Sequence, residues 1–185
     1  MPVLHATGAG VKHRRRWLFR DLDVDVDAGE VAAIVGPPGS GRTTVLLALA
    51  QRFQLSAGRV DVTGRVALGH VPGVSEPEPV LTVAEHVRER FLLSGRKPAE
   101  VDLLQLKPDA KGFELSPYER QVLGLILAGI AEPDLIALDG VDDGLDAAER
   151  AALWEQIRQL SAAVIVTARE IDADVATVVR LGGAQ

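Results

Sequence analysis

From Phe19 to Asp27 the chain runs F-R-D-L-D-V-D-V-D, alternating apolar and acidic residues with the period of a half-exposed strand. Ala28-Gly29-Glu30 turns it into Val31-Ala32-Ala33-Ile34-Val35, a continuous apolar run of the kind found in strands buried on both faces. A glycine-rich segment follows, and Thr43–Phe53 reads as a helix. Short strands are predicted at Arg59–Val62 and Val66–Val71, separated by Gly64. The middle changes character. Thr82 and Glu85 form a capping pair that opens a helix through Leu93, with Gly95 as its stop. Pro98–Leu106 is predicted as a second short helix. Ser116-Pro117-Tyr118-Glu119 combines a Ser cap, a Pro at the first helical position and a Glu at the third, so a helix should run to about Ile130. Leu135-Ile136-Ala137-Leu138-Asp139 is a second buried strand, ending in a carboxylate. Asp146 and Glu149 cap a helix to Leu160, and Ala162–Thr167 is a further buried strand. Strands alternating with helices predict an α/β domain with a mostly parallel sheet.

Composition bounds the chemistry. At 185 residues the chain has the length of one domain, taken as 1–185, with a helical part over roughly 74–130. Hydrophobic residues at 47% and charged residues at 25% exclude a disordered chain. No cysteine is present, which excludes disulfides, thiolate metal sites and thiol catalysis. A net charge of −6 argues against nucleic acid as a partner, and the run Lys12-His13-Arg14-Arg15-Arg16 reads as a solvated hairpin tip. The longest apolar stretch, Val122–Ala131, is about half of what spans a bilayer. No apolar leader follows Met1, so a soluble, cytoplasmic chain is expected.

One segment carries specific chemistry. Gly36-Pro37-Pro38-Gly39-Ser40-Gly41-Arg42-Thr43-Thr44 fits the phosphate-loop pattern G-x-x-x-x-G-K-[ST] except that Arg42 replaces lysine. It lies directly after a buried strand and directly before a helix, the context that pattern requires. Glycines let successive backbone N–H groups wrap phosphates, and the helix N-terminus points at them. Thr43 is the candidate Mg²⁺ ligand, and Asp139, at the end of an apolar strand, is its natural acidic companion.

With these residues in place the chain resembles the nucleotide-binding domain of ABC-type ATPases over nearly its whole length. Leu115-Ser116 begins the segment where that family has L-S-G-G-Q. Leu138-Asp139-Gly140-Val141-Asp142-Asp143-Gly144-Leu145-Asp146 matches the frame L-D-E-P-x-x-G-L-D, with Leu145 and Asp146 in the D-loop. Val164-Ile165-Val166-Thr167-Ala168 falls where the H-loop lies. An AAA-type ATPase also begins G-P-P-G but has neither the L-S segment nor the later G-L-D. The resemblance implies a P-loop NTPase fold of ABC type: a mostly parallel central sheet, an N-terminal antiparallel β part and a shortened helical subdomain. It also implies ATP and Mg²⁺ as ligands, head-to-tail dimers of two such domains, and an integral membrane partner encoded separately. The chain would then sit in the cytoplasm, or peripherally on the inner face of the membrane.

Several positions depart from the family. Arg42 keeps the charge of the lysine but is bulkier and planar, which implies weaker or altered nucleotide binding. Gly140 stands where the family has the glutamate that polarises the attacking water, Ala168 where it has the H-loop histidine, and Gly73 where it has the Q-loop glutamine. No family catalytic residue is therefore intact. Asp142 or Asp143 could replace the lost glutamate, although capping and solvation are the simpler roles for both. In Leu115-Ser116-Pro117-Tyr118-Glu119, Pro117 lacks an N–H, Tyr118 adds bulk where glycine allowed close approach, and Glu119 can fold back as a cap. His13 and Trp17 are the aromatic candidates for stacking on adenine. The expectation is Mg-ATP binding with weak or no hydrolysis in a regulatory or accessory subunit. An active transporter ATPase, and an interaction module without nucleotide, are the alternatives.

Overall fold

A computed structural model of the chain describes residues 1–171 and 173–182. In chain order the strands and helices are β1 (Leu4–His13), β2 (Arg16–Val26), β3 (Val31–Val35), α1 (Arg42–Leu49), β4 (Ala57–Val62), β5 (Val66–Leu68), α2 (Val83–Leu93), α3 (Pro117–Ile130), β6 (Leu135–Leu138), α4 (Ala147–Arg158), β7 (Ala163–Ala168) and β8 (Thr177–Arg180). A single 3-10 turn, Gly112–Glu114, precedes α3.

The strands form two sheets. β2, β1 and β4 make an antiparallel sheet in that order, its hairpin turning at Arg14 and Arg15, both with positive φ. β5, β6, β7, β3 and β8 make a wholly parallel sheet. Period-two geometry explains why its central strands are apolar throughout. Ala32 and Ile34 of β3, Leu135 and Ala137 of β6, and Ala163 and Ile165 of β7 face one core, shared with Leu46 and Leu49 of α1 and with Leu4, Val11 and Phe19 of the antiparallel sheet. The alternate residues Ala33, Ile136, Leu138, Val164 and Val166 face a second core, closed by Leu125 of α3 and Leu153, Trp154 and Ile157 of α4. A smaller cluster of Val83, Leu106, Leu115, Val122 and Leu123 joins α2 to α3. This is the α/β, P-loop NTPase-like architecture that the alternation of elements and the motifs imply.

Three local expectations need correction. Pro98–Leu106 is not helical: Asp102 Oδ1 accepts a hydrogen bond from the Leu104 amide at 2.7 Å, and Leu104 adopts φ +55°. Such an Asx turn offers the backbone an alternative to the helix, and Leu106 packs into the α2–α3 cluster instead. The helix expected over Thr43–Phe53 stops at Leu49, because Gln51 turns left-handed and the Arg52 amide returns to the Leu47 carbonyl at 2.7 Å. The strand expected over Val66–Val71 ends at Leu68. Its ladder persists as single bonds from the Gly69 amide to Ala137 O and from the Asp139 amide to His70 O, both 2.9 Å.

Candidate functional site

Ligands of parallel sheets lie beyond the carboxyl ends of the strands. Here the ends of β3, β6 and β7 bring together Gly36, Asp139 and Thr167–Ala168, with the Gly36 amide donating to Ala168 O at 3.3 Å. The loop from Gly36 to Gly41 then folds back on itself through a 3.1 Å bond from the Ser40 amide to Pro37 O. Position 36 has no room for a side chain: a Cβ would stand 2.7 Å from Ser40 Oγ and 3.0 Å from Leu181 O. Gly41, with φ 89°, is the residue that leads into α1.

The four α-helices among the described residues divide by their N-termini. α2, α3 and α4 each close theirs with a complete capping box: Thr82/Glu85, Ser116/Glu119 and Asp146/Glu149. α1 has no side-chain cap and no acid in its first turn. The uncapped helix is the one that follows the glycine loop, so its partial positive end faces that loop. Two further donors are left over there. Ser40 Oγ and Arg42 Nη1 are buried with no hydrogen-bond partner among the described residues, Ser40 being 7% exposed. Buried polar groups are rarely left unpaired, so the loop presents donors where an anion would satisfy them.

Thr43 and Asp139 meet at the end of this loop. The Thr43 hydroxyl donates to Asp139 Oδ2 at 2.7 Å, and the Thr167 hydroxyl donates to Asp139 Oδ1. Thr167 Oγ1 in turn accepts from the Gly140 amide at 2.8 Å. Gln121 of α3 donates from Nε2 to the carbonyls of Asp139 at 2.7 Å and Gly140 at 3.3 Å. The carboxylate is therefore held from three sides, by α1, β7 and, through its backbone, α3. Hard oxygen donors of this kind suit Mg²⁺, which is characteristically held by one or two protein oxygens together with substrate phosphates. No cluster of three or more His, Cys, Asp or Glu suited to a metal occurs among the described residues. The Thr43–Asp139 pair fits an ion whose remaining ligands come from a nucleotide and water.

The substituted positions are filled in a definite way. Gly140 adopts φ +63°, and a Cβ on it would lie 2.7 Å from Asp143 Oδ2. Asp143 Oδ1 lies 2.8 Å from Arg169 Nη2, in ion-pair range though without hydrogen-bond alignment. Asp142 Oδ2 accepts from the Arg169 amide at 2.9 Å. Ala168 is buried in the second core. Gly73, with φ +74°, occupies a tight turn closed by the Ser75 amide on Val71 O at 2.8 Å, and the space beside it is open. His70, just before that turn, is buried; burial holds its imidazole below the usual range, against Glu76 and Asp139, while Arg120 pushes the same way as burial.

The Leu115–Glu119 segment is closed onto its own chain. Glu119 Oε2 accepts from the Ser116 amide at 2.8 Å, and Ser116 Oγ accepts from the Glu119 amide at 3.2 Å. Leu115 is buried, and Pro117 lies 3.2 Å from where a Cβ on Gly144 would stand. Tyr118 is half-buried and turns inward between α3 and α4, its hydroxyl accepting from Gln156 Nε2 at 3.0 Å. Its bulk is thus spent inside the chain. Leu145 is buried, and Asp146 is the cap of α4.

The aromatic candidates sit on the β1–β2 hairpin. His13 is exposed beside the turn, and Trp17 is 40% exposed with the Lys12 ammonium 5.6 Å from its ring centroid. The next residue, Leu18, brings its carbonyl 3.7 Å from the Cβ direction of Gly41, so this hairpin borders the loop. Sequence reasoning did not assign a site role to Thr167, Gln121 or Arg169. A lone Thr near the end of an apolar run is the available signal for the first, and a polar residue just before the apolar stretch Val122–Ala131 for the second.

Comparison with known proteins agrees with this geometry. Residues 19–141 match the ABC transporter family. The zinc import ATP-binding protein ZnuC of Ruegeria pomeroyi is 32% identical over 182 residues, covering 92% of this chain and 70% of its own length. The Nod factor export ATP-binding protein I of Burkholderia lata is 33% identical over 188 residues, covering 88% of this chain and 60% of its own. Among solved structures, an ABC transporter ATP-binding protein from Pyrococcus furiosus superposes with TM-score 0.80 at 16% identity over 96% of each chain. An ATP-binding cassette dimer bound to ADP and Pi superposes with TM-score 0.78 at 16% identity, covering 96% of this chain and 94% of its own.

Proposed function

The chain belongs to the ABC transporter family, and from that premise we propose that it binds Mg-ATP at the Gly36–Thr44 loop and hydrolyses it slowly. It acts as an accessory or regulatory ATP-binding subunit beside a membrane protein, at the cytoplasmic face. No described helix is long and apolar enough to cross a membrane. Pairing with a second ATP-binding domain, as homodimer or heterodimer, fits the same reading, and cargo identity resides in the membrane partner.

The observation that carries the binding half is the hydrogen bond from Thr43 to Asp139 at the mouth of an uncapped helix with unpartnered donors. Arg42 would supply charge to the phosphates, and Thr43 with Asp139 would hold the metal, which neutralises charge on the phosphates when bound. Slow turnover is supported by three positions. Gly140 and Ala168 carry no polar side chain, and Glu119 satisfies a helix terminus that an anion would otherwise approach. Calorimetric titration with Mg-ATP, with ATP in excess chelator, and with Asp139→Ala tests the reading. Magnesium-dependent binding that the variant loses is expected. Absence of binding by the native chain would leave the interaction-module reading in its place.

A further inference from the structure

The edge that carries Asp139 also carries a second carboxylate, and its placement is tied to the glycine beside it. The Asp143 amide donates to Gly140 O at 3.0 Å, closing a turn over residues 140–143. Within that turn Asp143 Oδ2 occupies the space next to Gly140 where any side chain at 140 would begin; a Cβ there would stand 2.7 Å away, closer than real Cβ atoms approach. Gly140 is thus what permits the carboxylate to fold back. Arg169 fixes it from the other side, with Nη2 2.8 Å from Oδ1, while Asp142 pins the Arg169 backbone. The side chains of the pair remain 43% and 57% exposed, open to water.

The other acids near this edge are engaged elsewhere, Asp142 Oδ1 excepted, a buried atom with no hydrogen-bond partner among the described residues. Asp139 receives a hydroxyl on each oxygen, Asp142 Oδ2 takes backbone amides, and Glu119 closes its own helix. Asp143 Oδ2 is the carboxylate oxygen directed over Gly140 with no hydrogen bond to the protein among the described residues. It adjoins the residue that follows the candidate metal ligand.

We propose that Asp143 is the proton acceptor for hydrolysis of the bound nucleotide, a relocated general base held by Arg169. This rests on the nucleotide-binding reading above and identifies how the slow reaction proceeds. A water oxygen bonds to the terminal phosphorus while its proton passes to Asp143 Oδ2. The bond from that phosphorus to the bridging oxygen breaks, its electron pair leaving with the diphosphate. The carboxyl then returns the proton to solvent through its exposed face.

Single-turnover phosphate release, with protein in excess over radiolabelled Mg-ATP, tests this beside calorimetric binding and a thermal melt of each variant. Asp143→Asn should bind Mg-ATP as the native chain does and release phosphate about 100-fold more slowly, the lower end of what general bases contribute. Should that variant melt below the assay temperature, Gly140→Ala replaces it, since its Cβ displaces Oδ2 and should slow release without loss of binding. Native-rate release by folded Asp143→Asn overturns the proposal. So does a native chain that binds nucleotide and releases no phosphate. A native chain that binds no nucleotide overturns the nucleotide-binding reading itself.

Discussion

The hydroxyl of Thr43 and the carboxylate of Asp139, 96 residues apart in sequence, meet at 2.7 Å where α1 begins and β6 ends. Removing either side of that pair removes a proposed ligand for the metal while leaving the loop's backbone donors in place. Thr43→Val should therefore weaken Mg-ATP binding by about tenfold, the equivalent of one charge-assisted hydrogen bond of about 1.5 kcal/mol. Binding of ATP in excess chelator should change much less. Titrations with and without free Mg²⁺ make the comparison; equal losses in both would assign Thr43 to the loop alone.

Thr167 sets the other oxygen of the same carboxylate. Its hydroxyl donates to Asp139 Oδ1 and accepts from the Gly140 amide, so one group fixes both the carboxylate rotamer and the start of the following turn. Thr167→Val keeps the shape but leaves the buried Gly140 amide unpaired, a cost of about 1–3 kcal/mol. It should lower the urea midpoint and the apparent Mg²⁺ affinity together. Thr167→Ser should restore both, which a purely steric role for the methyl group would not do.

These two contacts mark the boundary of what the sequence makes legible. β3, β6 and β7 read directly from their apolar runs because both faces are buried, so the pattern has no polar interruption. The capping boxes of α2, α3 and α4 are codes of four residues and read equally well. The turn at Asp102–Leu104 does not, because its polar and apolar spacing is helical while one Asp side chain diverts the backbone. Nor does the Asp143–Arg169 pair, which depends on how the ends of β6 and β7 are juxtaposed and on space that a glycine leaves empty. Glu119 was foreseeable as a cap, whereas the inward turn of Tyr118 required the position of Gln156, 38 residues away.

Arg42 occupies the loop position where a lysine would place a compact ammonium. Its Nη1 is buried with no hydrogen-bond partner among the described residues, and a planar fork cannot take up the same point between phosphates. Arg42→Lys should tighten Mg-ATP binding, by several-fold to about tenfold, with little change in melting temperature. Weaker binding by this variant would mean that the guanidinium is itself the better phosphate ligand in this loop.

Ser116 and Glu119 close the N-terminus of α3 reciprocally. Loss of the Ser116 hydroxyl orphans the Glu119 amide, so Ser116→Ala should cost about 1 kcal/mol of stability. Urea denaturation of native and variant chains measures it. An unchanged midpoint would show that the packing of Leu115 and Val122 holds the terminus without the cap.

The pH dependence of stability should carry the mark of His70. Burial lowers its folded-state value, with Arg120 acting in the same direction and Glu76 and Asp139 opposing. The unfolded chain then binds more protons than the folded one between the folded value and the ordinary one of about 6.5. Stability rises with pH wherever that holds, so this contribution is complete above about pH 6.5 and is lost as pH falls through the lowered value. His70 Nδ1 has no hydrogen-bond partner among the described residues, so replacing the ring removes the titration without breaking a described bond of that atom. Melting temperatures of the native chain should drop between pH 7.5 and 5.5 by more than those of His70→Phe. Parallel curves for the two would place the acid sensitivity in other groups.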